Sequence, residues 1–252
     1  MKSRRINKLV LFAILGIAVT AGVMVTSCGK GDYTHEGPVD KAALSQIGFY
    51  ETYNVGEIAD VLRALDKEAA ERGGMVDSMS FANLTGYETS VASMSSTPII
   101  GYVSVNDTAS VNRIITQYGD RCLPADLKLT WTRFPEKSQF GPDLYLLIAL
   151  KLTGGGPAMK GESIIEAMSS SDEIEGNTID LMFNVEGASV FSRITAQNVN
   201  RAIAVVIDGK VYSFPTVNQQ IDGGRVQISG LFTKEETQNV VDFIYGKDEL
   251  KK

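Results

Sequence analysis

Thr178-Ile-Asp-Leu-Met-Phe-Asn-Val185 opens a stretch, running on to Tyr245, whose pattern sets the fold class of the whole chain. Ile179, Leu181, Phe183 and Val185 alternate with Asp180, Met182 and Asn184, the period-two mark of a strand with one buried face. Residues 187–200 predict a helix with Ala188, Phe191 and Ile194 inward and Val199 at its end. Ala202-Ile-Ala-Val-Val-Ile207 and Lys210-Val-Tyr-Ser-Phe214 flank Asp208-Gly209. That dipeptide predicts a hairpin, because a type I′ turn needs positive φ at both central residues. A second turn, Asp222-Gly223-Gly224, separates Val217–Ile221 from Arg225–Ser229. Thr233-Lys-Glu-Glu236 has capping-box spacing and predicts a helix with Val240, Val241 and Ile244 inward, stopped by Gly246. Strand, helix, hairpin, turn, strand and helix in that order make an α+β unit, and none of it carries the pattern of an active site.

Upstream, Gln46–Tyr53 predicts a strand and Val55–Arg72 a helix with Ile58, Val61, Leu62, Leu65 and Ala69 on one face, ended by Gly73-Gly74. Gly74–Pro98, rich in Ser, Met, Thr and Gly, is expected as a long loop or a loosely packed short helix. Its Met75, Met79 and Met94 offer either an adaptable contact surface or core filling. Ile100–Val105 predicts a strand, and Asp107 caps an expected helix with Val111, Ile114, Ile115 and Tyr118 inward and Gly119 closing it. Leu127–Trp131 and Leu144–Leu152 predict two more strands, with Trp131 as a core anchor. Gly154-Gly-Gly156 lacks the Gly-Lys-Ser/Thr of a phosphate loop and is expected as a flexible connection. Ser163–Met168 is expected as a short helix and Ser169–Asn177 as a polar loop.

The block after Gly161 resembles the head part of the first periplasmic domain of SecD and SecDF, membrane proteins that assist export through the Sec translocon. The likeness rests on Asn184-Val-Glu-Gly187, Phe191–Thr195, Asn198, Ile203–Gly209, Val211–Pro215, Ile221–Gly224, Ile228-Ser-Gly230 and Phe232–Glu236. Gly161–Ile164, Asp107–Asn112 and Phe49–Tyr53 extend it, so that it runs from about Ile47 to Ile244. Phe214 and Thr237 stand where the family carries alanine. The resemblance implies an α+β fold, mainly antiparallel sheet packed against helices, and a non-enzymatic role beside the export machinery. It also implies further domain and several membrane helices beyond the position of Lys252.

The front of the chain is different in kind. Lys2, Arg4, Arg5 and Lys8 precede Leu9–Ser27, nineteen residues with no ionisable side chain. At about 1.5 Å per residue these span roughly 28 Å, enough for a signal peptide or a retained anchor. Val25-Thr-Ser-Cys28 resembles the bacterial lipobox, which favours cleavage before Cys28 and acylation of its sulfur over a chance cysteine ending an uncleaved helix. Several acyl chains at about 0.8 kcal/mol per buried CH₂ make a firm anchor. The expected organisation is 1–27 lipoprotein signal peptide, 28–37 tether, 38–98 helical and loop segment, 99–246 head-like domain and 247–252 tail. The domain is expected in the envelope, facing the periplasm, with inner and outer membrane both open.

Charge and residue chemistry exclude several functions. The chain carries 24 Lys and Arg against 30 Asp and Glu. Without the four basic residues of 1–27 the balance is 20 to 30, a net of −10, so nucleic acid is not an expected partner. If Cys28 is acylated, Cys122 is the one remaining thiol, expected as a small buried hydrophobe. His35 is the single histidine and lies in the tether, which removes Ser/His/Asp and Cys/His catalysis and His-based zinc sites. Asp172, Glu173 and Glu175 lack the spacing of a calcium loop and are expected as solvated charge. No catalytic residue, cofactor or metal is therefore assigned. With no acid in Leu9–Ser27, proton coupling is not expected of these residues. The leading expectation is a membrane-anchored lipoprotein binding Sec translocon components or unfolded exported polypeptides through a sheet edge or the Met-rich loop. The alternative is a repurposed envelope lipoprotein that binds a glycan or small ligand.

Overall fold

The computed structural model describes residues 33–34, 37–73, 79–138, 141–172, 176–230, 232–247 and 250. The expectations for residues 1–27, Cys28, His35, Met75, Glu173 and Glu175 lie outside these. In chain order, β1 (Tyr33–Thr34) precedes α1 (Lys41–Leu44), β2 (Ile47–Thr52) and a 3-10 turn (Val55–Ile58) that runs into α2 (Ala59–Gly73). Then come α3 (Phe81–Thr85), α4 (Tyr87–Ser93), β3 (Ile99–Ser104), α5 (Thr108–Cys122), β4 (Leu127–Trp131) and β5 (Leu144–Lys151). After the short β6 (Met159–Lys160) come β7 (Ile164–Asp172), β8 (Gly176–Phe183), α6 (Val185–Gln197), β9 (Ile203–Ile207) and β10 (Lys210–Ser213). β11 (Arg225–Ser229) and α7 (Lys234–Ile244) complete the order. The class is α+β, with every strand ladder antiparallel.

The turn and cap chemistry of 178–246 is realised. Asp208 and Gly209 take φ of 48° and 72°, so β9 and β10 fold back as the Asp-Gly pair predicts. Thr233 and Glu236 exchange both bonds of the capping box, at 2.7 and 3.2 Å. Asn184 ends the alternation of β8 by capping α6, its Oδ1 accepting the Gly187 amide at 2.8 Å. Val185, expected on the buried face, is consequently 90% exposed in the first turn of that helix. Val199 lies past the last turn of α6 and is exposed too.

Four upstream expectations are corrected. Where it is described, Gly74–Pro98 takes the short-helix form rather than the loop, but packed tightly, since α3 and α4 bury Phe81 and Tyr87 with their rings 5.9 Å apart. Ser80 caps α3, and Gly86, at φ 66°, turns the chain between two helices too short to show periodicity. Ser163–Met168 is not a helix: Ser163 ends a 3-10 turn and Ile164–Met168 is strand, because β7 pairs with β8 along nearly its whole length. Ser169–Asn177, expected as loop, holds the end of β7 and the start of β8. Small residues hide the alternation: Ala167 and Ser169 point inward while Met168 and Ser170 point out. Gly119 does not close α5, which continues to Cys122, and Asp107 stands at its N-cap without a side-chain cap bond.

Two sheets result. One has the order β1-β7-β8-β11. The other runs β10-β9-β2-β5-β3, with β4 on the far side of β5 and β6 on β2. β2, from the 38–98 segment, therefore sits between β9 and β5. The larger sheet curls until Thr132, just past β4, bridges Val211 in β10, and the Arg133 amide donates to the Val211 carbonyl at 2.8 Å. Both faces of β5 and β9 are covered, which explains their unbroken apolar runs. Leu146, Ile148, Leu150, Ala204 and Val206 fill the inside of the curl. Leu147 and Ala149 meet α2 and α5, while Ile203, Val205 and Ile207 meet α6, α7 and the other sheet. Phe49 joins the two sheets, edge-on to Phe183 at 5.3 Å and to Phe191 at 5.6 Å. Truncating such a ring to alanine costs about 3–5 kcal/mol.

Candidate functional site

Of the residues singled out from the sequence, Trp131 is buried and its indole N–H donates to Asn112 Oδ1 at 2.7 Å, an anchor as expected. Cys122 is half-buried rather than fully buried, with Sγ 3.7 Å from the Ala64 carbonyl. Burial pushes its thiol pKa up, away from the thiolate that reactivity requires. Met79 is exposed, whereas Met94 is partly buried against the residues that fill the curled sheet. Among the described residues no group of three or more His, Cys, Asp or Glu is placed to hold a metal ion. None of their helices is long and apolar enough to cross a membrane.

The densest polar cluster gathers where β2 ends. Tyr53 donates to Asp126 Oδ2 at 2.6 Å, and Lys151 Nζ lies 5.9 Å from its ring centroid. Glu51 accepts from Asn198 at 2.8 Å and from Thr153 at 3.2 Å. Arg201 forks onto both Glu57 oxygens at 2.6 and 3.0 Å and reaches the Thr52 carbonyl at 3.2 Å. The Asp126 carboxylate, helped by burial, pushes the Tyr53 pKa up to about 12. The Arg201 guanidinium holds the Glu57 carboxyl below its ordinary value. Each acid here already accepts from a neighbour, so the cluster clamps β2 to β4, α6 and β9 and offers no free acid or base. Periodicity could not reveal it, since Tyr53 and Asp126 are 73 residues apart.

A feature able to receive a partner is β11, a terminal strand of its sheet. The Phe183 amide donates to the Gly224 carbonyl at 2.8 Å, which sets the ladder's phase. Val226 and Ile228 then spend their backbone groups on β8, and Arg225, Gln227 and Ser229 turn theirs outward. Ser213 Oγ donates to the Ser229 carbonyl at 3.0 Å. Among the described residues the outward backbone groups of Arg225 and Gln227 meet no partner. An edge of this kind is a template for another strand. The sequence pattern alone does not locate this edge; what marks it is a short strand between Gly223-Gly224 and Gly230 that opens on a charge.

The part of the chain from the end of β5 through α7 is similar to a known family. Residues 149–244 match the SecDF P1 head subdomain. The SecD protein translocase subunit of Rhodothermus marinus is 35% identical over 145 residues, 57% of this chain and 23% of that protein. SecD of Magnetococcus marinus is 32% identical over 136 residues, 54% of this chain and 24% of the relative. SecDF of Thermus thermophilus is 35% identical over 86 residues, 34% of this chain and 12% of the relative. The matches thus span about a quarter or less of these relatives. A solved structure of SecDF, described as a membrane component that enhances protein export, aligns with 81% of this chain and 94% of its own at 19% identity and a TM-score of 0.34. That superposition is loose, and the fold of the head segment rests on the strand order given above.

Proposed function

We propose that this chain is an accessory of protein export, anchored at a membrane through acylated Cys28, with its head-like domain in the periplasm. Its partners are extended segments of exported polypeptide, or Sec translocon components, added as a strand along Arg225–Ser229. The observation that carries the reading is the match of 149–244 to the SecDF head subdomain, joined to the open backbone of β11. Main-chain bonds give such contacts affinity without a required sequence, which suits varied clients. The lipid anchor is supported by Val25-Thr-Ser-Cys28 after the apolar run. β1 would then hold its sheet close to the bilayer, because five residues from Cys28 to Tyr33 reach at most about 17 Å.

Residue-resolved hydrogen exchange on the full-length protein tests the site. Adding an unfolded precursor should slow exchange at the outward amides of Arg225 and Gln227 by about ten-fold, leaving the already bonded Val226 and Ile228 unchanged. Unaltered exchange at Arg225 and Gln227 under saturating precursor would end the strand-addition reading.

A further inference from the structure

The inside of the curled sheet is filled by aliphatic side chains along most of its length, but one mouth stays open as a cleft of about 420 Å³. Pockets in the mouths of closed sheets are common ligand sites. Alternation in β4 decides what faces this one. Leu127, Leu129 and Trp131 pack toward α2 and α5, which leaves Lys128 on the same side as Thr130. Thr130 Oγ1 donates across the curl to the Gly209 carbonyl at 2.8 Å, so that side is the interior. Lys128 therefore enters from one wall, opposite Val206 of β9 and Tyr50 of β2.

Gly48 keeps the cleft's floor thin. A Cβ there would meet Tyr50 Cε2 at 2.8 Å and Pro157 Cβ at 2.9 Å, so ring and proline close directly over the β2 backbone as an apolar wall. Lys160 and Glu162 stand at the rim. Among the described residues neither Lys128 nor Lys160 has an ion-pair partner, although the chain has six more acidic than basic residues. Two unpaired ammonium groups and one carboxylate leave the cleft positive beside an apolar wall.

We propose that this cleft binds a small amphipathic carboxylate, with an aromatic or alicyclic body against Tyr50, Pro157 and Val206 and its acid group between Lys128 and Lys160. A half-enclosed wall strengthens the ammonium–carboxylate attraction over its value in open water. The site lies apart from β11 and stands without the export reading.

The test is fluorine NMR titration of the full-length protein in lipid nanodiscs, with 4-fluorobenzoate as ligand and 4-fluorobenzyl alcohol as its neutral counterpart. The carboxylate should bind about ten-fold more tightly than the alcohol. Lys128→Gln and Lys160→Gln should each weaken it about five-fold, Lys128→Arg should preserve it, and Lys67→Gln on α2 should leave it unchanged. Lys128 is exposed, so its variants keep the fold, which circular dichroism checks. Equal affinity for acid and alcohol, indifference to Lys128→Gln, or no binding of 4-fluorobenzoate would each overturn the proposal.

Discussion

Tyr53 is a residue whose role depends entirely on a distant partner. Its hydroxyl donates to Asp126 at 2.6 Å, and that carboxylate, with burial, lifts the phenol pKa from 10.0 to about 12. The folded protein therefore holds this proton more tightly than the unfolded chain does. Stability from the contact is complete below pH 10 and is lost as pH rises through about 12. Urea midpoints followed from pH 9 to 12 should fall more steeply for the native protein than for Tyr53→Phe. At neutral pH the variant should lose about 1 kcal/mol, the usual worth of one such bond. Parallel pH profiles would remove the hydrogen bond from the fold's energetics. The sequence showed Tyr53 only as the last residue of a strand, because nothing local announces Asp126. The lysines of the cleft were hidden in the same way: Lys128 reads as the polar member of an alternating strand until the curl turns that face inward.

Among the elements, those built from local chemistry were legible and those built from pairing were not. The β9–β10 hairpin and α7 follow from Asp208-Gly209 and Thr233–Glu236, groups that fix the backbone within a few residues of themselves. β7 had no such mark. Ile164-Ile-Glu-Ala-Met168 suits a helix locally, and only the ladder to β8 makes it a strand, a tertiary override of propensity. α3 and α4 were legible only as an alternative to a loop, because their stability comes from burying Phe81 and Tyr87 rather than from a repeating face. The cap of α7 permits a direct measurement. Thr233→Ala leaves the Glu236 amide without its side-chain acceptor and should cost about 1 kcal/mol in urea unfolding. Thr233→Ser should restore most of it. No loss in the alanine variant would mean that packing alone holds the helix.

Over the whole molecule, the fold class and the likeness to the SecDF head were readable because 178–244 carries both the turn signals and the matching residues. The closure of the larger sheet was not readable, since it depends on Thr132 reaching Val211 across a separation of 79 residues. Nor was the position of β2, which comes from the segment expected to lie outside the head-like domain yet occupies the sheet between β9 and β5. The curl brings the end of β4 against β10 in one sheet, the other sheet ends in the open strand β11, and the proposed role in export rests on that strand. A photoreactive amino acid at Gln227 of the full-length protein in living cells tests this most directly, with the same group at Lys67 on α2 as reference. Crosslinks from position 227 to exported precursors or to Sec translocon subunits, several-fold above those from position 67, are the expected result. Equal labelling from both positions, or none to either class of partner, would contradict it.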